Sequence, residues 1–296
     1  MGSVSVGCVI LVCALGGTRS WNETGSTVHY KHHGNTNGQQ DLDLSKAPPN
    51  EEQRLLRYIL RAYDRSVRPV WNASQTVVVH VGLTLTQIFN INEKKQILSM
   101  NVWLEQAWTD ERIRWEPEEF DNLSLLTVPT RFLWAPDIVL LNNAEDFSRG
   151  IAQTNVNLYP DGSVLWAPPV QSHSVCKLNV ALFPFDQQIC SLRYASWMYD
   201  ASQVDVTNRS HKINMDGGNF IENGEWHVVS TSARRNVRQH PYYPDVAYAD
   251  VTFTLHLRRR VLYYMYNIIC PCAMLSVLTL LQFWLPCESG EKITLG

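Results

Sequence analysis

Thirteen residues separate Cys176 from Cys190, and the stretch between them ends Phe183-Pro184-Phe185-Asp186-Gln187-Gln188-Ile189. Oxidation to a disulfide is the chemistry open to such a pair. The other five cysteines are placed differently. Cys8 and Cys13 lie in an apolar N-terminal run, and Cys270, Cys272 and Cys287 lie in or beside a second one. An oxidising compartment would therefore pair Cys176 with Cys190. Closing a loop of about fifteen residues removes roughly 3 kcal/mol of unfolded-chain entropy, on a model-dependent account. It also stiffens a tip that carries two phenylalanines, and an aromatic-Pro step there permits a cis bond at Pro184. Other chemistry is hard to find. The chain has no metal-ligand spacing, nucleophile elbow or phosphate loop, so an enzyme is not indicated and neither metal nor cofactor is expected. His29, His32 and His33 read as part of a solvated tail rather than a metal site.

Compartment follows from the N-terminus. Val4–Leu15 is apolar, too short to span a bilayer and followed by small residues, so residues 1–20 read as a secretory signal peptide. Four N-x-[ST] sequons, at Asn22, Asn72, Asn122 and Asn208, fit a glycoprotein. The formal net charge of −3 is too small to suggest a nucleic-acid partner.

The elements that position these residues change period along the chain. Residues 21–49 show no apolar period and read as a disordered lead-in. A helix is expected from Asn50, as N-cap with Gln53 completing a capping box, to near Arg68-Pro69. The period then becomes two. Val77, Val79, Val81, Leu83 and Leu85 form one face of a strand, Asn92-Glu93-Lys94 turns the chain, and Leu98, Met100, Val102 and Leu104 line the return. Trp103 falls on the polar face of that return strand, so another element of the chain or a partner must cover it. Short strands with Gly, Pro and Asx turns continue to Leu257, which predicts a mainly β domain over 50–257, an antiparallel sandwich behind an N-terminal helix. Val261–Pro286 carries no charge over 26 residues, enough for a transmembrane helix. Pro271 sits inside it, and Arg258, Arg259 and Arg260 precede it in a segment taken as 258–287.

The Cys176–Cys190 stretch with its Phe-Pro-Phe-Asp resembles the signature loop of the Cys-loop receptors. Asn101–Asp110, Trp134–Asn143, Ser196–Asp200, Arg258–Tyr264 and Glu288–Gly296 are similar to nicotinic acetylcholine receptor subunits, so the resemblance runs from Asn50 to Gly296. It implies a pentamer of homologous subunits in the plasma membrane, with this domain outside the cell. Acetylcholine or a similar small amine would bind between subunits, in an aromatic box that attracts a quaternary ammonium.

Carried over by position, Trp103, Asn157, Leu165 and Ala167 would contribute a complementary face. Trp197, Leu141, Tyr248 and Tyr242 or Tyr243 would contribute a principal one. Leu141 stands where that face usually has tyrosine, and the hairpin before Asp250 lacks the usual adjacent cysteines, so the chain resembles a non-alpha subunit. Gating would be coupled through Glu93, Lys94, the Phe183–Asp186 tip and Arg259, with Glu93 and Arg259 as an ion pair. Glu291 matches a carboxylate ring at the pore mouth and Thr294 an early pore-lining position, within a segment starting at 288. On this reading the chain ends a few residues into the pore-lining segment. It is then either a piece of a longer channel subunit or a truncated, non-conducting product that binds ligand or sibling subunits.

Overall fold

Alternating apolar residues build the framework. In the computed structural model, which describes residues 50–145, 152, 154–215, 220–239, 243 and 245–284, the run beginning at Val77 becomes strand β1 (Val77–Asn92). Val77, Val79, Val81, Leu83 and Leu85 are all buried along it. β2 (Ile97–Thr109) returns antiparallel to it and buries Leu98, Met100, Val102 and Leu104. Asn22, Tyr242, Glu291 and Thr294 lie outside the described residues, as do the signal and lead-in segments and the predicted pore segment.

Two sheets enclose the core. The larger also contains β3 (Leu126–Pro129), β5 (Asn155–Leu158), β6 (Ser163–Trp166) and β9 (Val204–Asn208), in the order β3-β5-β6-β2-β1-β9, with β7 (Pro169–Val175) pairing along β2. The smaller runs β10-β11-β8-β4, from β10 (Trp226–Gln239), β11 (Ala247–Arg259), β8 (Gln187–Ser196) and β4 (Ile138–Leu140). An antiparallel sandwich was expected, and one pairing departs from it. β9 runs parallel to β1, because the chain leaves β8 in the smaller sheet and crosses to the edge of the larger.

Tryptophan does two jobs here. Trp108, Trp115, Trp134, Trp166 and Trp226 are buried, with Trp108 edge-on to Trp134 at 5.9 Å. Trp71, Trp103, Trp197 and Trp284 are exposed.

The N-terminal helix is shorter than its pattern implied. It spans Glu51–Leu60, buries Leu55 and Ile59, and Asn50 makes no side-chain cap bond, so the capping box does not form. From Arg61 the chain leaves the helix, and Tyr63 turns inward to donate to Asp110 at 2.6 Å. At the other end β11 runs through Arg258 and Arg259, so these belong to the sandwich rather than to the membrane segment. A 20-residue helix, Leu262–Leu281, follows, long and apolar enough to cross a membrane and with none of its residues buried. At 1.5 Å per residue it reaches ~30 Å, the thickness of a hydrocarbon core. Met265–Ile269 widens into a π turn in which the Cys270 N–H reaches back to the Met265 carbonyl. Pro271 explains the need, since it has no N–H to continue the ordinary ladder.

Candidate functional site

Strand register sorts the candidate residues onto two outer faces. On the larger sheet, odd-numbered residues of β2 point away from the core, so Trp103 and Ala107 share a side. Ala107 pairs with Leu165, and Leu165 pairs with Asn157, which brings both to that side. Ala167, two residues beyond Leu165, continues the row as β6 ends. Trp103 is 39% exposed, so no described element of the chain covers it fully. Asn157 accepts a hydrogen bond from the Thr127 hydroxyl at 3.0 Å. Glu105, two residues on, is held by the Thr84 hydroxyl at 2.7 Å and by Arg209 at 3.2 Å.

The smaller sheet presents the second group. Leu141 continues β4, and its N–H donates to the Arg193 carbonyl at 2.8 Å. Trp197 follows β8 and is 60% exposed, so it is no part of the sandwich core, where Trp134 sits instead. Asp137 braces its loop by accepting from the Ser196 hydroxyl and the Met198 N–H, at 2.6 and 2.8 Å. Tyr248 is half-buried and Tyr243 exposed. Next along β11 from Tyr248 the structure reveals a cluster that sequence reading missed. Buried Asp250 accepts from Arg193 at 3.3 Å and from Asn236 and Thr252, each at 3.0 Å, and pairs with the Arg238 guanidinium at 3.1 Å. Burial pushes the Asp250 pKa up, yet the hydrogen bonds from Asn236, Thr252 and Arg193 prevail and hold it below the usual carboxylate value. Alternation puts Arg193 and Asp250 on one side of their strands, but pairing either arginine with Asp250 needs the strand register.

At the membrane end the coupling candidates meet around one guanidinium. Arg259 is buried and donates to Asp186 at 2.8 and 3.2 Å and to Glu93 at 2.9 Å. Its charge also lies 4.3 Å from the Trp226 ring centroid, 5.0 Å from Phe183 and 5.5 Å from Tyr264. Burial works against that charge, but the bonds to Asp186 and Glu93 outweigh it and raise the Arg259 pKa further. The expected Glu93–Arg259 pair is present, although Glu93 is 43% exposed, and Asp186 is the buried partner. Lys94 is exposed, and Arg260 instead pairs with Glu222.

The loop between the cysteines closes as expected. Cys176 and Cys190 form a disulfide with their Cα atoms 5.2 Å apart, and the Phe183-Pro184 bond is cis. Phe183 packs edge-on against Tyr264 at 4.9 Å, while Phe185 stays 62% exposed. Gln96, which no sequence signal singled out, ties the β1–β2 turn to this loop. Its carbonyl accepts from the Cys176 N–H, and its side-chain oxygen from the Leu178 N–H. Of the described sequons, Asn72 and Asn122 are exposed, whereas Asn208 is half-buried and donates its amide to the Ser210 carbonyl at 3.1 Å.

A family model for the neurotransmitter-gated ion-channel ligand binding domain matches residues 52–261. The neuronal acetylcholine receptor subunit alpha-2 of Gallus gallus is 40% identical over 244 residues, covering 82% of this chain and 46% of that protein. The alpha-4 subunit of Homo sapiens is 39% identical, covering 82% and 38% respectively. The beta-2 subunit of Gallus gallus is 39% identical over 246 residues, covering 82% and 49%. The chain thus spans less than half the length of each of these relatives.

Proposed function

Because this chain belongs to the neurotransmitter-gated ion-channel ligand-binding domain family, we propose that it is part of an acetylcholine-gated cation channel subunit and supplies the complementary face of an intersubunit site. The observation that carries this reading is Trp103, 39% exposed on the same outer sheet face as Asn157, Leu165 and Ala167. A large aromatic held in that setting gains most when a neighbouring subunit covers it, and its ring can then hold an ammonium by cation–π attraction. Trp197, Leu141 and Tyr248, with Tyr243 of the hairpin, would form the other face, where leucine stands in place of an aromatic and no adjacent cysteines stiffen the hairpin. We assign the chain to the non-alpha type on that basis.

Ligand-driven movement would pass to the membrane segment through Arg259. That residue joins Glu93 of the β1–β2 turn, Asp186 of the disulfide loop and Tyr264 of the helix. Homologous subunits would complete a pentamer in the plasma membrane with the sandwich outside the cell. Exposed Asn72 and Asn122 would be open there to glycosylation, with Asn208 a half-buried third acceptor, and Glu291 and Thr294 would serve the pore. The test is co-expression of the full subunit with an alpha-type relative. An acetylcholine-evoked current is expected, with its half-maximal concentration raised about tenfold or more by Trp103→Ala, while surface expression holds. Currents indifferent to Trp103→Ala in every subunit combination would overturn the assignment.

A further inference from the structure

The Asp250 cluster changes what the second outer face can bind. Arg193, Ala195 and Trp197 alternate outward along β8 and its continuation. Asp250 pairs with Ala195, Thr252 with Arg193, and Tyr248 with Arg238. Directly opposed residues have Cβ atoms about 5 Å apart and diagonal neighbours sit at about 7–8 Å. Arg238 therefore stands across from Tyr248, on the side of β11 away from β8, and its guanidinium reaches diagonally to Asp250. Two guanidiniums share one carboxylate, which leaves one positive charge in excess. Arg234, on the same side of β10 and exposed, adds to it, whereas Arg235 is spoken for by Asp205 at 2.7 Å. Arg238 remains 57% exposed while making its ion pair, so its charge is presented to the face rather than hidden beneath it.

We propose that Arg238 is a specificity-determining residue that excludes ammonium-bearing ligands from the Trp197–Tyr248 face. The proposal rests on the reading of that face as a ligand-binding surface. A guanidinium beside Tyr248 is the same kind of charge that a quaternary ammonium would bring, so the two repel each other. One surplus unit charge at about 7 Å, under an effective dielectric near 20, weakens a monocation by about ten- to fiftyfold. The effect shrinks with added salt. Arg193 is different, because its backbone is fixed by Asn142 and its side chain lies lower in the cluster, being 30% exposed.

The test uses the whole chain in detergent micelles with tetramethylammonium as probe. The readout is the indole N–H signal of Trp197 in tryptophan-labelled protein, identified by Trp197→Phe. Arg238→Gln leaves Asp250 with Arg193, Asn236 and Thr252, so the variant should fold, and circular dichroism checks that it does. The expected result is tetramethylammonium affinity at Trp197 at least about tenfold higher in Arg238→Gln than in the native chain, with Arg238→Lys behaving as native. Equal affinity in native chain and Arg238→Gln, both lost in Trp197→Ala, would overturn the role of Arg238 and leave the face a binding surface. No Trp197-dependent binding in any variant would overturn the binding surface and the proposal together.

Discussion

Replacing Asp186 by asparagine removes a charge at nearly constant volume and leaves Arg259 buried with half of its compensation. Stripping one partner from a buried ion pair commonly costs about 3–5 kcal/mol. Here Glu93 remains at 2.9 Å and three aromatic rings stay within 5.5 Å, which places the loss near the lower end, about 3 kcal/mol. For a domain of this size that is a fall in Tm of roughly 6–12 °C, read by circular dichroism on the solubilised chain. Glu93→Gln is the control. Its carboxylate is 43% exposed, so the pair is worth about 0.2–1 kcal/mol and at most ~4 °C. Asp186→Leu with Arg259→Met removes both charges and should recover most of the loss. Burial raises the Asp186 pKa, but hydrogen bonds from Arg259 and Gln188 prevail and hold it below the ordinary value. Its stabilising effect is therefore complete above the unfolded pKa of about 3.9 and lost as pH falls through the folded one. The penalty of Asp186→Asn should accordingly shrink below about pH 4. A Tm drop under about 1 °C, or a larger one from Glu93→Gln, would refute this account of the cluster.

Three further outcomes are expected. Gln106 is fully buried and neither of its amide atoms has a partner among the described residues, so Gln106→Met should stabilise by about 1–3 kcal/mol in denaturant titration. Gly162 has φ +87° and a Cβ there would lie 2.6 Å from the Asp110 carbonyl oxygen, so Gly162→Ala should cost at least about 1–3 kcal/mol by the same measurement. Replacing Cys176 and Cys190 together by alanine should cost about 3 kcal/mol, and the loss should match that seen on reducing the native chain.

Much of this was legible in the sequence, for reasons that differ by residue. The alternation from Val77 to Leu85 and from Leu98 to Leu104 specified both strands, because a one-residue slip would turn every apolar side chain to water. Trp103 announced itself as an aromatic on a polar face. The disulfide followed from compartment. Cooperative and long-range choices were hidden. Asn50 and Gln53 fit a capping pattern, yet only three-dimensional placement decides whether the side chain reaches a free N–H. β9 runs parallel because of a crossover between sheets, which no local period records. Asp186 looked like a loop residue until Arg259, 73 positions later, was brought beneath it. Arg238 could not be placed on Asp250 without the hairpin register.

The π turn before Pro271 has a geometric consequence for anything that grips this segment from the side. Each residue in an α-helix advances the azimuth by about 100°, so a turn that accommodates one extra residue resets the phase by about that angle. The stripe that begins at Tyr264, under the loop phenyl ring of Phe183, is therefore not continued in line by the residues after Cys270. A straight neighbour can follow the upper stripe or the lower one. Contacting both requires it to cross at an angle or to bend at the same depth.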